Sequence, residues 1–165
     1  MGVYHEKKSM TTLTSNEDEG LVDTNVLVYR ADIDSKFHSA SIDLIQRGHA
    51  GEISLCLAPQ NLTEFFAILT SPRRVANPLT PIEVWREIEK YHRSMTIRKI
   101  HQNKRLIPTL SSLVSKYPVK GQEIFDLQLV ATMLINDVTR IYTFNDKHFA
   151  KYSEIKVVIP TANKK

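Results

Sequence analysis

The chain has 165 residues, 42% of them hydrophobic and 24% charged, with a formal net charge of +4. That length and balance suit one soluble globular domain with a sizeable core of its own. No apolar run approaches the roughly 18 residues of a membrane span, no signal-type stretch follows the N-terminus, and the single cysteine, Cys56, lacks an intrachain disulfide partner. A cytoplasmic place is therefore the default expectation.

Residues 1–19 are polar, charged and β-branched without sustained periodicity, and read as a mobile tail ahead of one domain, residues 20–165. Residues 20–23 predict a short buried strand that turns directly into a helix, Thr24 to Ala31, since Asp23 and Thr24 can both cap its free N–H groups. A second helix is expected from His38 to Arg47, ended by Gly48 and Gly51. Glu52 to Leu57 reads as the second strand, with Cys56 as a small core residue. Ala58-Pro59 opens a helix through Leu69, proline being suited to a first helical position. On it Leu62, Phe65, Phe66 and Leu69 share one face, and Glu64 points roughly the opposite way.

Ser71-Pro72 stops that helix. Further helices are expected over residues 81–95, 105–117 and 123–137. The last is the strongest, with Ile124, Leu127, Ala131 and Leu134 in one stripe and Asp126 on its flank near the N-terminus. Residues 97–101, 140–144 and 156–159 read as strands, with a short helix between the last two. Strands alternating with helices imply an α/β domain with a mostly parallel sheet, whose sites form beyond the carboxyl ends of the strands.

Charge is unevenly spread. Residues 1–72 hold five basic and ten acidic residues, whereas residues 73–105 hold nine basic and three acidic. The basic middle reads equally as a positive rim beside an acidic site or as a solvated helix face.

Four acid-bearing segments, spaced along almost the whole chain, point to chemistry: Leu21-Val22-Asp23-Thr24-Asn25, Leu62-Thr63-Glu64-Phe65, Ile124-Phe125-Asp126-Leu127 and Thr143-Phe144-Asn145-Asp146. Each acid stands against an apolar run at the end of a strand or early in a helix. Taken singly, Asp23 reads equally as a helix cap, Glu64 as an exposed helix residue, and Asp126 with Glu123 as a complement to a helix N-terminus. Asn145-Asp146 reads as a turn. Together they predict converging carboxylates, which must bind a hard cation or suffer like-charge repulsion. Three or four carboxylates suit Mg²⁺- or Mn²⁺-dependent phosphoryl transfer. The six histidines show no zinc-like spacing and read as surface or packing residues.

In order and kind these segments resemble the PIN-domain ribonucleases, in particular the VapC-type toxins of bacterial toxin–antitoxin pairs, over residues 20–160. The resemblance implies a three-layer α/β/α sandwich on a parallel five-stranded sheet. It implies an Mg²⁺- or Mn²⁺-dependent ribonuclease, with Asp23, Glu64 and Asp126 as metal ligands, Thr24 and Asn25 supporting the first of them and Thr143 supporting the last segment. The fourth acidic position falls at Asn145, so that charge is absent, displaced to Asp146, or supplied through water. RNA is the implied substrate, a cognate antitoxin the implied partner and a homodimer a further expectation. Arg73, Arg74, Arg98, Lys99, Lys104 and Arg105 are the candidates to hold RNA phosphates.

Two other classes compete. A catalytically weak module of the same fold would bind RNA or a protein. Haloacid-dehalogenase-type phosphatases also place Asp after a first strand, as Asp-x-Asp, but Asn25 stands where their general acid would be, and no matching lysine motif follows.

Overall fold

The structure, a computed structural model, describes residues 18–162. Five strands of three residues each form one sheet: β1 (Gly20–Val22), β2 (Leu55–Leu57), β3 (Ile97–Lys99), β4 (Arg140–Tyr142) and β5 (Lys156–Val158). The sheet order is β3-β2-β1-β4-β5, and every pairing is parallel. Seven helices connect the strands: α1 (Thr24–Ala31), α2 (His38–His49), α3 (Pro59–Leu69), α4 (Pro81–Arg93), α5 (Leu106–Lys116), α6 (Glu123–Leu134) and α7 (Asp146–Phe149).

Alternation along the strands splits the core in two. Val22, Leu55, Leu57 and Tyr142 face one helical layer, packing with Leu27, Ile45 and Phe65. Their neighbours Leu21, Cys56 and Ile141 face the other, packing with Leu127, Val130 and Tyr152. Successive side chains on a strand point to opposite faces, so runs of three buried residues need helices on both sides. This is the expected α/β/α sandwich.

Most elements stand within one to three residues of expectation, and two features differ. Helix α2 runs through Gly48 to His49. Gly48 does not end the helix but gives it close contact with the sheet, because a Cβ there would lie 2.3 Å from Leu55 Cδ1. The stop is Gly51, whose φ of +73° is the left-handed conformation that glycine adopts without cost.

The tail expectation also needs correction at its end. Glu19 is buried and accepts two hydrogen bonds from Arg98 Nε, at 2.9 and 3.0 Å, and Asp18 accepts one from Arg140 Nη2 at 3.1 Å. These two residues belong to the folded body; the rest of the expected tail, residues 1–17, lies outside the described residues.

The topology positions a site. From β1 the chain builds outward through β2 to β3, then returns to the far side of β1 as β4. The connections after β1 and β4 therefore leave a crevice at their carboxyl ends, the place where open parallel sheets bind ligands.

Candidate active site

Asp23 follows β1 directly and caps α1. Its backbone N–H donates to Tyr142 O at 3.0 Å, extending the β1–β4 pairing one residue past the strand. Its carboxylate, only 7% exposed, accepts three hydrogen bonds. Thr24 N donates to Oδ1 at 2.7 Å, while Asn25 Nδ2 and Thr143 Oγ1 donate to Oδ2 at 2.8 and 2.7 Å. Asn25 ties the two loops further, since its Oδ1 accepts from Phe144 N at 3.2 Å. Of the two residues expected beside the first acid, Asn25 reaches it through its side-chain amide and Thr24 only through its backbone N–H.

Glu64 arrives from α3. The helix starts at Pro59, and the buried Asn61 side chain accepts from Ala58 N at 3.0 Å, which fixes its entry beside β2. Thr24 Oγ1 donates to Glu64 Oε2 at 2.9 Å. Gln60, one turn earlier on the same helix face, donates from Nε2 to Glu64 Oε1 at 3.0 Å and to Phe125 O at 3.1 Å. Gln60 thus joins α3 to α6, a role sequence reading did not assign; its i, i+4 spacing to Glu64 was the available signal.

Asp126 stands in the first turn of α6, with Oδ2 3.3 Å from His148 Nδ1. His148 is a surface residue, as expected, but it also stands beside the third acid, a contact that sequence reading did not assign.

Asp23, Glu64 and Asp126 line one pocket of about 610 Å³, and Asn145 lines it too. Asp146 does not; it opens α7. Burial pushes the Asp23 carboxyl up from 3.8 to about 6, against the hydrogen bonds from Thr143 and Thr24 and with smaller help from the charges of Glu64 and Asp126. Burial also raises Asp126; the nearby His148 opposes that rise and the charge of Glu64 adds to it. The like-charge repulsion expected from sequence is present, but desolvation outweighs it.

The basic middle does not gather here as one rim. Arg74 lines the pocket. Arg98 instead reaches Glu19, ahead of β1, at the opposite edge of the sheet. Arg105 donates to Ile135 O at 2.6 Å, at the far end of the helix that begins beside Asp126. Lys99 Nζ donates to Ser94 O and, at 2.8 Å, to Ile97 O. These three make contacts within the fold and do not line the pocket. Arg73 and Lys104 are exposed and do not line the pocket. The cations that sequence reading missed are Lys147 and Lys151, which line it together with His148.

An all-oxygen donor set with a carboxylate destabilised by burial fits a hard divalent cation. Among the described residues, however, no three His, Cys, Asp or Glu side chains close into a ready-made metal-binding group. The three carboxylates line one pocket of about 610 Å³, and Mg²⁺ commonly keeps several waters beside one or two carboxylates.

Comparison with solved structures places this architecture. A toxin–antitoxin complex from Klebsiella pneumoniae is similar at TM-score 0.55 and 17% identity, over 87% of this chain and 99% of that one. The Mycobacterium tuberculosis toxin VapC20, described as cleaving the sarcin–ricin loop, matches at 0.58 and 15%, over 82% and 97%. VapBC2 from Rickettsia felis, bound to a promoter DNA fragment, matches at 0.59 and 12%, over 86% and 98%. No family model and no curated protein sequence matches the chain. The fold is thus the PIN-like sandwich shared with these toxins.

Proposed function

We propose that the chain is an Mg²⁺- or Mn²⁺-dependent endoribonuclease, the toxin of a toxin–antitoxin pair, working in the cytoplasm. The observation that carries this reading is the meeting of Asp23, Glu64 and Asp126, from β1–α1, α3 and α6, at one pocket beyond the sheet's carboxyl edge. The likeness to toxin–antitoxin structures supports the biological role and an antitoxin partner. Among the described residues no helix is long and apolar enough to cross a membrane.

Asp23, Glu64 and Asp126 would hold the cation. When bound, it would supply Lewis-acid polarisation of the phosphodiester and acidify the attacking water. The chain's own residues set the geometry. Asn25 and Thr143 hold the Asp23 carboxylate in one rotamer, and Thr24 with Gln60 does the same for Glu64, so the oxygens need little reorganisation when a substrate arrives. Arg74, Lys147 and Lys151 flank the acids and would take the phosphates on either side of the scissile bond. His148, held beside Asp126, stands where it can pass a proton to a leaving oxygen.

The neutral Asn145 at the fourth position favours a second reading, a catalytically weak module that binds RNA. One experiment separates the two. The protein is incubated with total cellular RNA in Mn²⁺, in excess EDTA, and in EDTA with Mn²⁺ restored. Discrete cleavage products in the first and third samples alone support the nuclease. Salt-sensitive RNA binding with no products supports the module.

A further inference from the structure

Phe125 has no part in the chemistry above, yet it is 52% exposed directly beside Asp126. Its backbone is fixed, because Phe125 O accepts from Gln60 Nε2. It lines the acid pocket and also a second cavity of about 710 Å³; Glu64 is the other residue common to both. The two spaces are therefore neighbours separated by one carboxylate and one aromatic ring.

Their chemistry differs. All three flanking cations, Arg74, Lys147 and Lys151, belong to the acid pocket, and the second cavity has no Lys or Arg in its lining. That excludes it as a phosphate site. Its hydroxyls are spent on backbone carbonyls, Thr63 on Pro59 O and Thr132 on Gln128 O, and Gln60 Nε2 is committed to Glu64 and Phe125, while the buried Gln60 Oε1 has no partner. Among the described residues, the side-chain amides of Gln102 and Gln128 and the ring of His101 remain uncommitted on its wall. Uncharged, flat and edged with hydrogen-bonding groups, a nucleobase suits such a wall. Proteins that read unpaired RNA stack bases on exposed aromatic rings and bond their edges with side chains such as these.

We propose, resting on the ribonuclease reading, that this cavity takes the unpaired base of a nucleotide adjoining the scissile phosphate. Phe125 stacks on the base, and Gln128 and Gln102 read its edge. The sugar–phosphate chain then runs through the neighbouring basic and acidic pocket, so charge and base are sorted into adjacent spaces.

The test uses the full chain in EDTA, so that binding is read without cleavage. Fluorescence anisotropy measures its affinity for single-stranded RNA decamers of A, C, G or U, and for an abasic decamer of the same charge. Wild type should prefer at least one base-bearing decamer over the abasic one by roughly five- to 150-fold, the range that base stacking supplies. Phe125→Ala should lose that preference, and Gln128→Leu should lose discrimination among the four decamers while still preferring bases. Circular dichroism checks that each variant folds, and either variant alone suffices. Equal binding of abasic and base-bearing RNA by wild type overturns the base site alone and leaves Mn²⁺-dependent cleavage to stand. Retained preference in Phe125→Ala, with a change from dimer to monomer, would assign the face to a second copy instead. No binding of any decamer overturns the base site, and Mn²⁺-dependent cleavage then decides the ribonuclease reading separately.

Discussion

Thr143 Oγ1 donates to Asp23 Oδ2 across 2.7 Å, joining residues 120 positions apart that follow adjacent strands. The same hydroxyl oxygen accepts from Asn25 Nδ2 and Asn145 N, each at 2.9 Å. One threonine therefore gathers the first acid, its asparagine neighbour and the fourth segment.

Thr143→Val keeps the shape and removes this hub. A buried hydrogen bond to a charged group contributes roughly 1.5–3 kcal/mol, so a loss of that order in unfolding free energy is expected. Because the Thr143 bond holds the Asp23 pKa down, the carboxyl should titrate above its wild-type value of about 6. Denaturant unfolding and NMR titration of Asp23 measure the two effects. An unchanged Asp23 titration would remove the hub from the site's electrostatics.

The raised pKa of Asp23 has a definite sign in stability. Its folded-state value of about 6 exceeds the ordinary 3.8, so between these values the folded state binds more protons than the unfolded one. Stability then falls as pH rises through roughly 4 to 6, and the penalty, about 3 kcal/mol, is fully present at neutral pH. Asp23→Asn should flatten that slope. Its net gain at pH 7 should be small, because three donors converge on the carboxylate and an amide cannot accept from all of them. Mn²⁺ should raise the melting temperature of wild type at pH 7 and much less at pH 4.5. A pH-independent wild-type stability over this window would contradict the burial of a charged Asp23.

Salt dependence sorts the cations. Lys147→Ala and Lys151→Ala should each reduce the log–log salt slope of RNA binding by roughly 0.7, the value for a lost phosphate contact on a single strand. Arg98→Ala should leave that slope unchanged but destabilise the fold, since it strands the buried Glu19 carboxylate. The reverse pattern would place RNA on the basic middle after all.

Charge counting could not have made that distinction. Arg98, Lys99 and Arg105 are as basic as Arg74, but the topology sends them to the opposite edge or to local carbonyls. Asp23 and Asp126 were readable because they stand at a helix cap and in a first helical turn, where short-range signals lie, whereas Glu64 sits mid-helix in α3 and was singled out only by its place in the series of acid-bearing segments. Of the expected convergence, the structure shows the three acids lining one pocket, while among the described residues no three His, Cys, Asp or Glu side chains close into a ready-made group. His148 was passed over because only zinc-like spacing was sought, while its partner Asp126 lies on another helix. Gly48 shows the same limit, because a glycine needed for close packing looks like one that ends a helix.

Gly48→Ala tests that packing directly. The added methyl meets Leu55 on β2, so destabilisation of roughly 1–3 kcal/mol is expected, with part of it recovered by the smaller valine at position 55 in Gly48→Ala/Leu55→Val. Chemical denaturation of the two variants reads this. A neutral single substitution would mean that α2 lies farther from the sheet.

The central claim is that Asp23, Glu64 and Asp126 act together on one divalent cation to cleave RNA. Single-turnover cleavage by Asp23→Asn, Glu64→Gln and Asp126→Asn, across a Mn²⁺ titration, measures it most directly. Each variant should fold, lose cleavage by at least about a hundredfold at low Mn²⁺, and need more metal for any residual activity. Wild-type cleavage at wild-type Mn²⁺ by any one of the three would remove that residue from the site, and cleavage by wild type in EDTA would overturn the metal-dependent reading altogether.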